Sequence, residues 1–210
     1  MLISQNEVVL FQGDSITDTS RNRDNPNDLG KGYAMMAAGL FNSMFPEMGI
    51  TFLNRGISGN RVKDLQGRWQ EDCLDLKPTL VSIYIGINNT WRKFDRNDPT
   101  SAEDFEAGLR DLLVQTRDKL GAKLMLIEPF VLPVPEDRKS WRTDLDPKIH
   151  IVRELAREFK AVLVPLDGLF AQASTRANAA FWAPDGVHPS PAGHALIARA
   201  WLQAAGVQFP

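Results

Sequence analysis

Val8-Val9-Leu10-Phe11-Gln12-Gly13-Asp14-Ser15-Ile16-Thr17-Asp18 begins as an aliphatic, β-branched run and stops at a glycine followed by turn-forming residues. A short apolar run bounded in this way reads as a strand. Four more follow, at Thr51 to Arg55, Leu80 to Ile85, Lys123 to Glu128 and Ala161 to Pro165. Between them apolar residues fall at helical spacing, as in Phe105, Leu109, Leu112, Leu113 and Leu120, or Ile149, Val152, Leu155, Ala156 and Phe159. Helical patterns also cover Tyr33 to Phe45, Val62 to Leu76 and Pro191 to Ala204, the last with Ser190 placed to cap it and Pro191 in its first turn. Strand and helix thus alternate five times. Strands that are nearly continuous apolar runs belong to a parallel sheet covered on both faces. The expectation is an α/β fold, a three-layer α/β/α sandwich whose flavodoxin-like, five-stranded parallel sheet has the order 2-1-3-4-5.

The chain has 210 residues, the size of one domain, so residues 1–210 are expected to form a single unit with a sizeable core. With 43% hydrophobic and 24% charged residues, disordered, collagenous and coiled-coil classes fit poorly. Lys plus Arg number 24 against 26 Asp plus Glu, a net charge of −2, and there is no basic run; nucleic acid is not an expected partner. The single cysteine, Cys73, excludes an intrachain disulfide framework and a cysteine-based zinc ribbon, and it reads as a packed side chain. Gln5, Asn6 and Glu7 stand where a signal peptide would be apolar, and no stretch approaches the ~18 apolar residues of a membrane span. A cytoplasmic location, away from membranes, is therefore expected.

Ligands of such sheets bind outside the carboxyl ends of the strands, which directs attention to the loops after strands one, two and three and to the C-terminal segment. The long connections Asp18 to Lys31 and Pro129 to Trp141 are further candidates, since long loops in compact domains tend to be functional. Gly13-Asp14-Ser15-Ile16-Thr17-Asp18 puts a serine hydroxyl at the sheet edge, although the same residues suit a turn or a helix cap. Asp185-Gly186-Val187-His188-Pro189 puts a carboxylate three residues before an imidazole, an arrangement that can fix the histidine tautomer and stabilise its protonated form. Gly56-Ile57-Ser58-Gly59-Asn60-Arg61 and Gly86-Ile87-Asn88-Asn89 can supply backbone and side-chain N–H donors for an oxyanion, or serve as ordinary turns into helices. Any one of these loops is explained by turn chemistry. Four at one sheet edge point to acyl transfer.

Gly13-Asp14-Ser15-Ile16, Gly59, Gly86-x-Asn88 and Asp185-x-x-His188 together resemble the four ordered blocks of the GDSL, or SGNH, hydrolase superfamily of esterases and lipases. The resemblance spans almost the whole chain and implies Ser15 as nucleophile with His188 and Asp185 completing a triad. It further implies an oxyanion hole made of the Ser15 and Gly59 backbone N–H groups and the Asn88 side chain. Gly-Asp-Ser-Ile-Thr-Asp, Asn-Arg-Gly-Ile-Ser-Gly-Asn, Ile-Gly-Ile-Asn and His-Pro-Ser-Pro-Ala-Gly-His look most like the intracellular acetyl-xylan esterase branch. Two departures stand out: Ile16 in place of leucine, and Asn89 where aspartate is common. Ser15 is not framed by the G-x-S-x-G elbow of the standard α/β-hydrolases.

The resulting expectation is a serine esterase that needs no cofactor and removes small acyl groups, acetyl above all, from a carbohydrate ester. Asp14, Trp91, Arg92 and Trp182 are candidate substrate contacts. Asp185, His188 and His194 match no strong zinc spacing, so no metal is expected; His194 reads as a residue of the last helix beside Ala192 and Leu196. Alternatives are a lysophospholipase, thioesterase or arylesterase of the same superfamily, and a non-catalytic carbohydrate-binding protein. A homo-oligomer is the expected assembly.

Overall fold

The computed structural model describes residues 1–209. Its strands β1 (Val8–Gly13), β2 (Thr51–Asn54), β3 (Leu80–Tyr84), β4 (Lys123–Ile127) and β5 (Val162–Val164) pair in parallel in the order β2-β1-β3-β4-β5. Each begins and ends within one residue of the segment expected from sequence. The helices are α1 (Ser15–Asp18), α2 (Tyr33–Met44), α3 (Val62–Trp69), α4 (Ile87–Arg96), α5 (Ala102–Leu120), α6 (Arg142–Glu158), α7 (Leu166–Ala173), α8 (Ala179–Trp182) and α9 (Pro191–Ala204).

Successive side chains on a strand point to opposite faces, and both faces here are apolar, so two cores form. On one face Phe11, Tyr84, Met125 and Ile127 pack with Tyr33 and Phe41 of α2 and Trp201 of α9. On the other, Leu10, Ile83, Leu124 and Leu126 pack with Leu65 and Trp69 of α3, Leu109 and Leu113 of α5 and Val152 of α6. The result is a three-layer α/β/α sandwich.

The structure differs from the sequence pattern in three places. The helix expected over Val62 to Leu76 ends its regular part at Trp69 and passes into a π-helical turn, Gln70–Leu74. Asn88 and Asn89 occupy the first turn of α4 rather than an open loop. Their segment has weak helix propensity, but tertiary bonds hold it: Thr90 Oγ1 donates to Asp144 Oδ2 at 2.8 Å, and the Val62 N–H donates to Asn89 Oδ1 at 3.2 Å. Beyond β5 the chain forms α7 and α8 before reaching Asp185.

Winding reverses between β1 and β3, and Gly13 is level with Tyr84 in the register. The carboxyl ends of these two strands therefore border one crevice, the usual binding position in such sheets. Beneath it the indole N–H of Trp201 donates to Ser82 Oγ at 2.9 Å, and both residues are fully buried. Ser82→Ala leaves that donor unpaired in an apolar layer, and the expected loss is about 1–3 kcal/mol. Urea denaturation checks it, as a lowered midpoint with an unchanged slope.

Candidate active site

The Gly13–Asp14–Ser15 turn leaves β1 and enters α1 at once. Asp14 caps that helix, its Oδ1 accepting the Ile16 N–H at 3.0 Å. Ser15 is then the first helical residue, so its own N–H has no carbonyl one turn earlier to bond and is available to a ligand. Ser15 Oγ lies 3.0 Å from His188 Nε2, and His188 Nδ1 lies 2.7 Å from Asp185 Oδ2. Asp185 Oδ1 accepts the backbone N–H groups of Val187 and His188 at 3.0 and 2.7 Å. This carboxylate faces N–H donors on both oxygens, so Nδ1 of neutral His188 carries the proton and Nε2 is left to accept from the serine hydroxyl.

Electrostatics reinforce the alignment. Burial alone would raise the Asp185 pKa, but the His188 ring and two backbone N–H groups outweigh it and hold the carboxyl well below the usual range. His188 moves the other way, its hydrogen bond to Asp185 raising it above the ordinary 6.5 against the effect of burial.

The second and third loops lie alongside. Gly59 sits at φ +83° in a turn closed by the Asn60 N–H on the Ile57 carbonyl at 3.2 Å, a left-handed backbone position that favours glycine. Ser58 N–H donates to Asp18 Oδ2 at 3.0 Å, tying this turn to α1. Asn88 Nδ2 donates one of its protons to the Asn60 carbonyl at 3.2 Å, which joins the loops after β2 and β3. Asn89 faces elsewhere, bonded to Val62 and to Thr100.

Of the candidate substrate contacts, Trp91 stands against His188 with ring centroids 5.7 Å apart, and Trp141 backs it at 5.3 Å. Arg92 follows on the same helix but turns along it to Asp95 at 2.5 Å, with Asn88 Oδ1 at 3.5 Å. Trp182 is not brought to the site: its indole donates to the Ala173 carbonyl at 3.1 Å and lines a separate cavity with Leu196 and Ala200. Asp14 is likewise turned away from any ligand, 1% exposed, with Oδ2 sealed in without a partner.

A cavity of about 560 Å³ opens beside Ser15 and His188, bordered by Asp18, Thr19, Arg21, Arg23 and Ser58. Much of its rim is the Asp18 to Lys31 connection, pinned at its ends by the Lys31 N–H on the Thr19 carbonyl at 3.0 Å. Asn54, at the end of β2, holds that connection from below by donating to the Thr17 and Leu29 carbonyls at 2.7 and 2.8 Å. His194 also lines this cavity, a position that helical phase alone does not reveal. The available signal was the short His-Pro-Ser-Pro-Ala-Gly-His spacing, which starts the last helix at the site itself.

The chain is similar to known proteins over nearly its whole length. The family model described as GDSL-like Lipase/Acylhydrolase matches residues 11–196. An acetylxylan esterase of Geobacillus stearothermophilus is 38% identical over 217 aligned positions, covering 100% of this chain and 98% of the relative. A crystal structure of an acetylxylan esterase from that organism superposes with a TM-score of 0.90 at 36% identity, over 99% of this chain and 98% of that one. A structure described as a catalytic mutant of the same esterase, with a serine changed to alanine, has the same TM-score, identity and coverage. The chain belongs to the GDSL-like lipase/acylhydrolase family and is a carboxylic ester hydrolase.

Asp14 gives a stability test. Burial, opposed by the Ile16 N–H and by the charge of His188, pushes its carboxyl from 3.8 up to about 7. The folded protein thus keeps a proton that the unfolded chain has lost, and stability falls as pH rises from about 4 to about 7. Asp14→Asn removes that dependence. Its stability relative to the native chain should climb across this interval, by on the order of 4 kcal/mol, and level off above it. Urea titrations at pH 4 and pH 8 measure the change; a pH-independent difference would mean that the ionised carboxylate is compensated in place.

Proposed function

We propose that this esterase removes acetyl groups from acetylated sugars, with Ser15 as nucleophile, His188 as general base and acid, and Asp185 as the group that orients and charges the histidine. One observation carries the reading: the unbroken Asp185–His188–Ser15 hydrogen-bond chain opens on a cleft bordered by hydroxyl and guanidinium groups. In this mechanism Ser15 Oγ attacks the ester carbonyl while His188 Nε2 takes its proton. The carbonyl oxygen, now negative, is held by the Ser15 and Gly59 N–H groups and by the free proton of Asn88 Nδ2, donors that act most strongly as charge develops. His188 returns the proton to the departing sugar hydroxyl, which leaves an acyl-enzyme. Water, deprotonated by the same histidine, then attacks the acyl carbonyl, and His188 passes the proton to Ser15 Oγ as that bond breaks and acetate leaves.

Support for acetyl over longer chains comes from the polar lining of the cleft and from the acetylxylan esterases to which the chain is similar. On this reading residues 1–210 act as one hydrolase domain. A fluorophosphonate should add once to the native chain and not at all to Ser15→Ala, as read by intact-mass spectrometry. In parallel, kcat/KM should fall from acetyl to butyryl to octanoyl esters. Labelling that survives in the mutant would remove Ser15 from its role, and better turnover of octanoyl esters would replace the sugar substrate with a lipid.

The triad also sets a pH profile. His188 accepts a proton only when neutral, and its hydrogen bond to Asp185 raises its pKa above 6.5, so the acidic limb of kcat/KM should have its midpoint above 6.5. Asp185→Asn removes the main cause of that rise. Its residual activity, lower by up to about 10⁴-fold, should show the limb displaced to lower pH. An unmoved limb would assign it to another group.

A further inference from the structure

His194 has no part in the mechanism above, yet it lines the same cleft as Ser15 and His188. It sits in the first turn of α9 and is 7% exposed. The Tyr33 N–H, at the start of α2, donates to its Nδ1 at 3.2 Å. Gly32 makes this approach possible, since a Cβ there would lie 2.8 and 2.9 Å from His194 Cε1 and Nδ1.

A ring nitrogen that accepts a hydrogen bond carries no proton, so the single proton of neutral His194 is on Nε2. Burial, with the charge of His188 as a second cause, pushes its pKa down to about 4 and keeps the ring neutral. Among the described residues no group bonds Nε2, and His194 borders the cavity. Thr19 Oγ1, close by against Gly32, is turned to the Ile16 carbonyl at 2.9 Å and leaves its lone pairs free. The cleft thus holds a fixed neutral donor beside a hydroxyl acceptor, a pairing suited to an uncharged hydroxyl.

We propose that His194 is a specificity-determining residue whose Nε2–H donates to a hydroxyl or ring oxygen of the sugar while His188 performs the proton transfers. The inference rests on the acetylated-sugar reading given above. Two substitutions separate the two nitrogens. In His194→Asn the amide oxygen takes the place of Nδ1 and still accepts from Tyr33, but nothing reaches the cleft. In His194→Gln the longer amide keeps a donor near the position of Nε2 and releases Tyr33.

Kinetics with acetylated xylo-oligosaccharide and with p-nitrophenyl acetate, thermal denaturation, and ¹⁵N spectra of the histidines test it together. His194→Asn should raise KM for the sugar ester about five- to tenfold, with a much smaller change in kcat, and lower the preference for that ester over the aryl ester by a similar factor. His194→Gln should lower Tm and largely retain the preference. In the native protein His194 should be the Nε2–H tautomer, without titration between pH 5 and 8. Preference undiminished in His194→Asn, equal losses on both esters, or a His194 that carries its proton on Nδ1 would overturn the assignment. A native enzyme with no preference for the sugar ester would overturn the substrate reading first, and this inference with it.

Discussion

Ser15 Oγ and His188 Nε2 meet at 3.0 Å although 173 positions separate the two residues in the chain. A hydrogen bond tolerates little displacement, and an error near 1 Å at a reacting group can cost about 10²-fold in rate, so both ends of the chain have to be fixed on one frame. β1, an interior strand of the sheet, provides one half by ending at Gly13, two residues before Ser15. The other half comes from α9, whose Trp201 packs on Phe11 of β1 with ring centroids 5.2 Å apart. The loop carrying His188 is anchored on both sides: the Leu132 N–H donates to the Gly186 carbonyl at 2.8 Å, and the Ser190 N–H donates to the Trp182 carbonyl at 2.8 Å. Ser190 then caps α9 through the Gly193 N–H. Trp182 thus contributes a backbone contact to the site's support while its side chain lies elsewhere.

Two aspartates influence His188 and are driven in opposite directions. Asp185 accepts from three N–H groups and remains charged across the working pH range. Asp14 has one such partner and a second oxygen sealed without any, so burial dominates and its proton leaves only near pH 7. The difference between them is the number of donors facing each oxygen, and it assigns a permanent orienting charge to one carboxylate and a cap to the other.

Much of this was legible in the sequence, and the misses share a cause. Strand positions depend on local apolar runs, and the residues that follow them, Ser15 after β1 and Asn88 after β3, inherit their placement from the sheet. Asp185 and His188 were readable because three residues of one loop hold them together. α4 was not, since Asn88, Asn89 and Thr90 are poor helix formers and their conformation is set by Val62, Thr100 and Asp144 from other elements. Asp14 looked like a ligand contact because a polar residue beside a nucleophile faces solvent or core according to cap geometry, which composition does not encode. Trp182 leaves the site, and His194, in the last helix as expected, meets the cleft, for a similar reason. Each lies near α9, and only the packing of α8 and of the Asp18 to Lys31 loop decides which one meets the cleft.

The lining of the cleft also limits what binding energy can be drawn from an acyl chain. Each methylene that leaves water for an apolar wall gains roughly 0.8 kcal/mol, which is how a lipase comes to prefer long chains. Beside Ser15 and His188 the neighbours are Asp18, Thr19, Arg21, Arg23, Ser58 and His194, with Ile16 and Pro189 the apolar members. A fatty chain laid there would strip water from charged groups and return no hydrogen bonds, so the desolvation would offset the gain. On the proposed reading, sugar hydroxyls would replace that water donor for donor and acceptor for acceptor. Trp91 packs beside His188 and is itself stiffened by Trp141 and by the Arg138 guanidinium, whose central carbon is 5.3 Å from the centre of the Trp91 ring. On the proposed acetylated-sugar reading, a polar floor with an aromatic ring near His188 suits a pyranose, which carries C–H groups as well as hydroxyls.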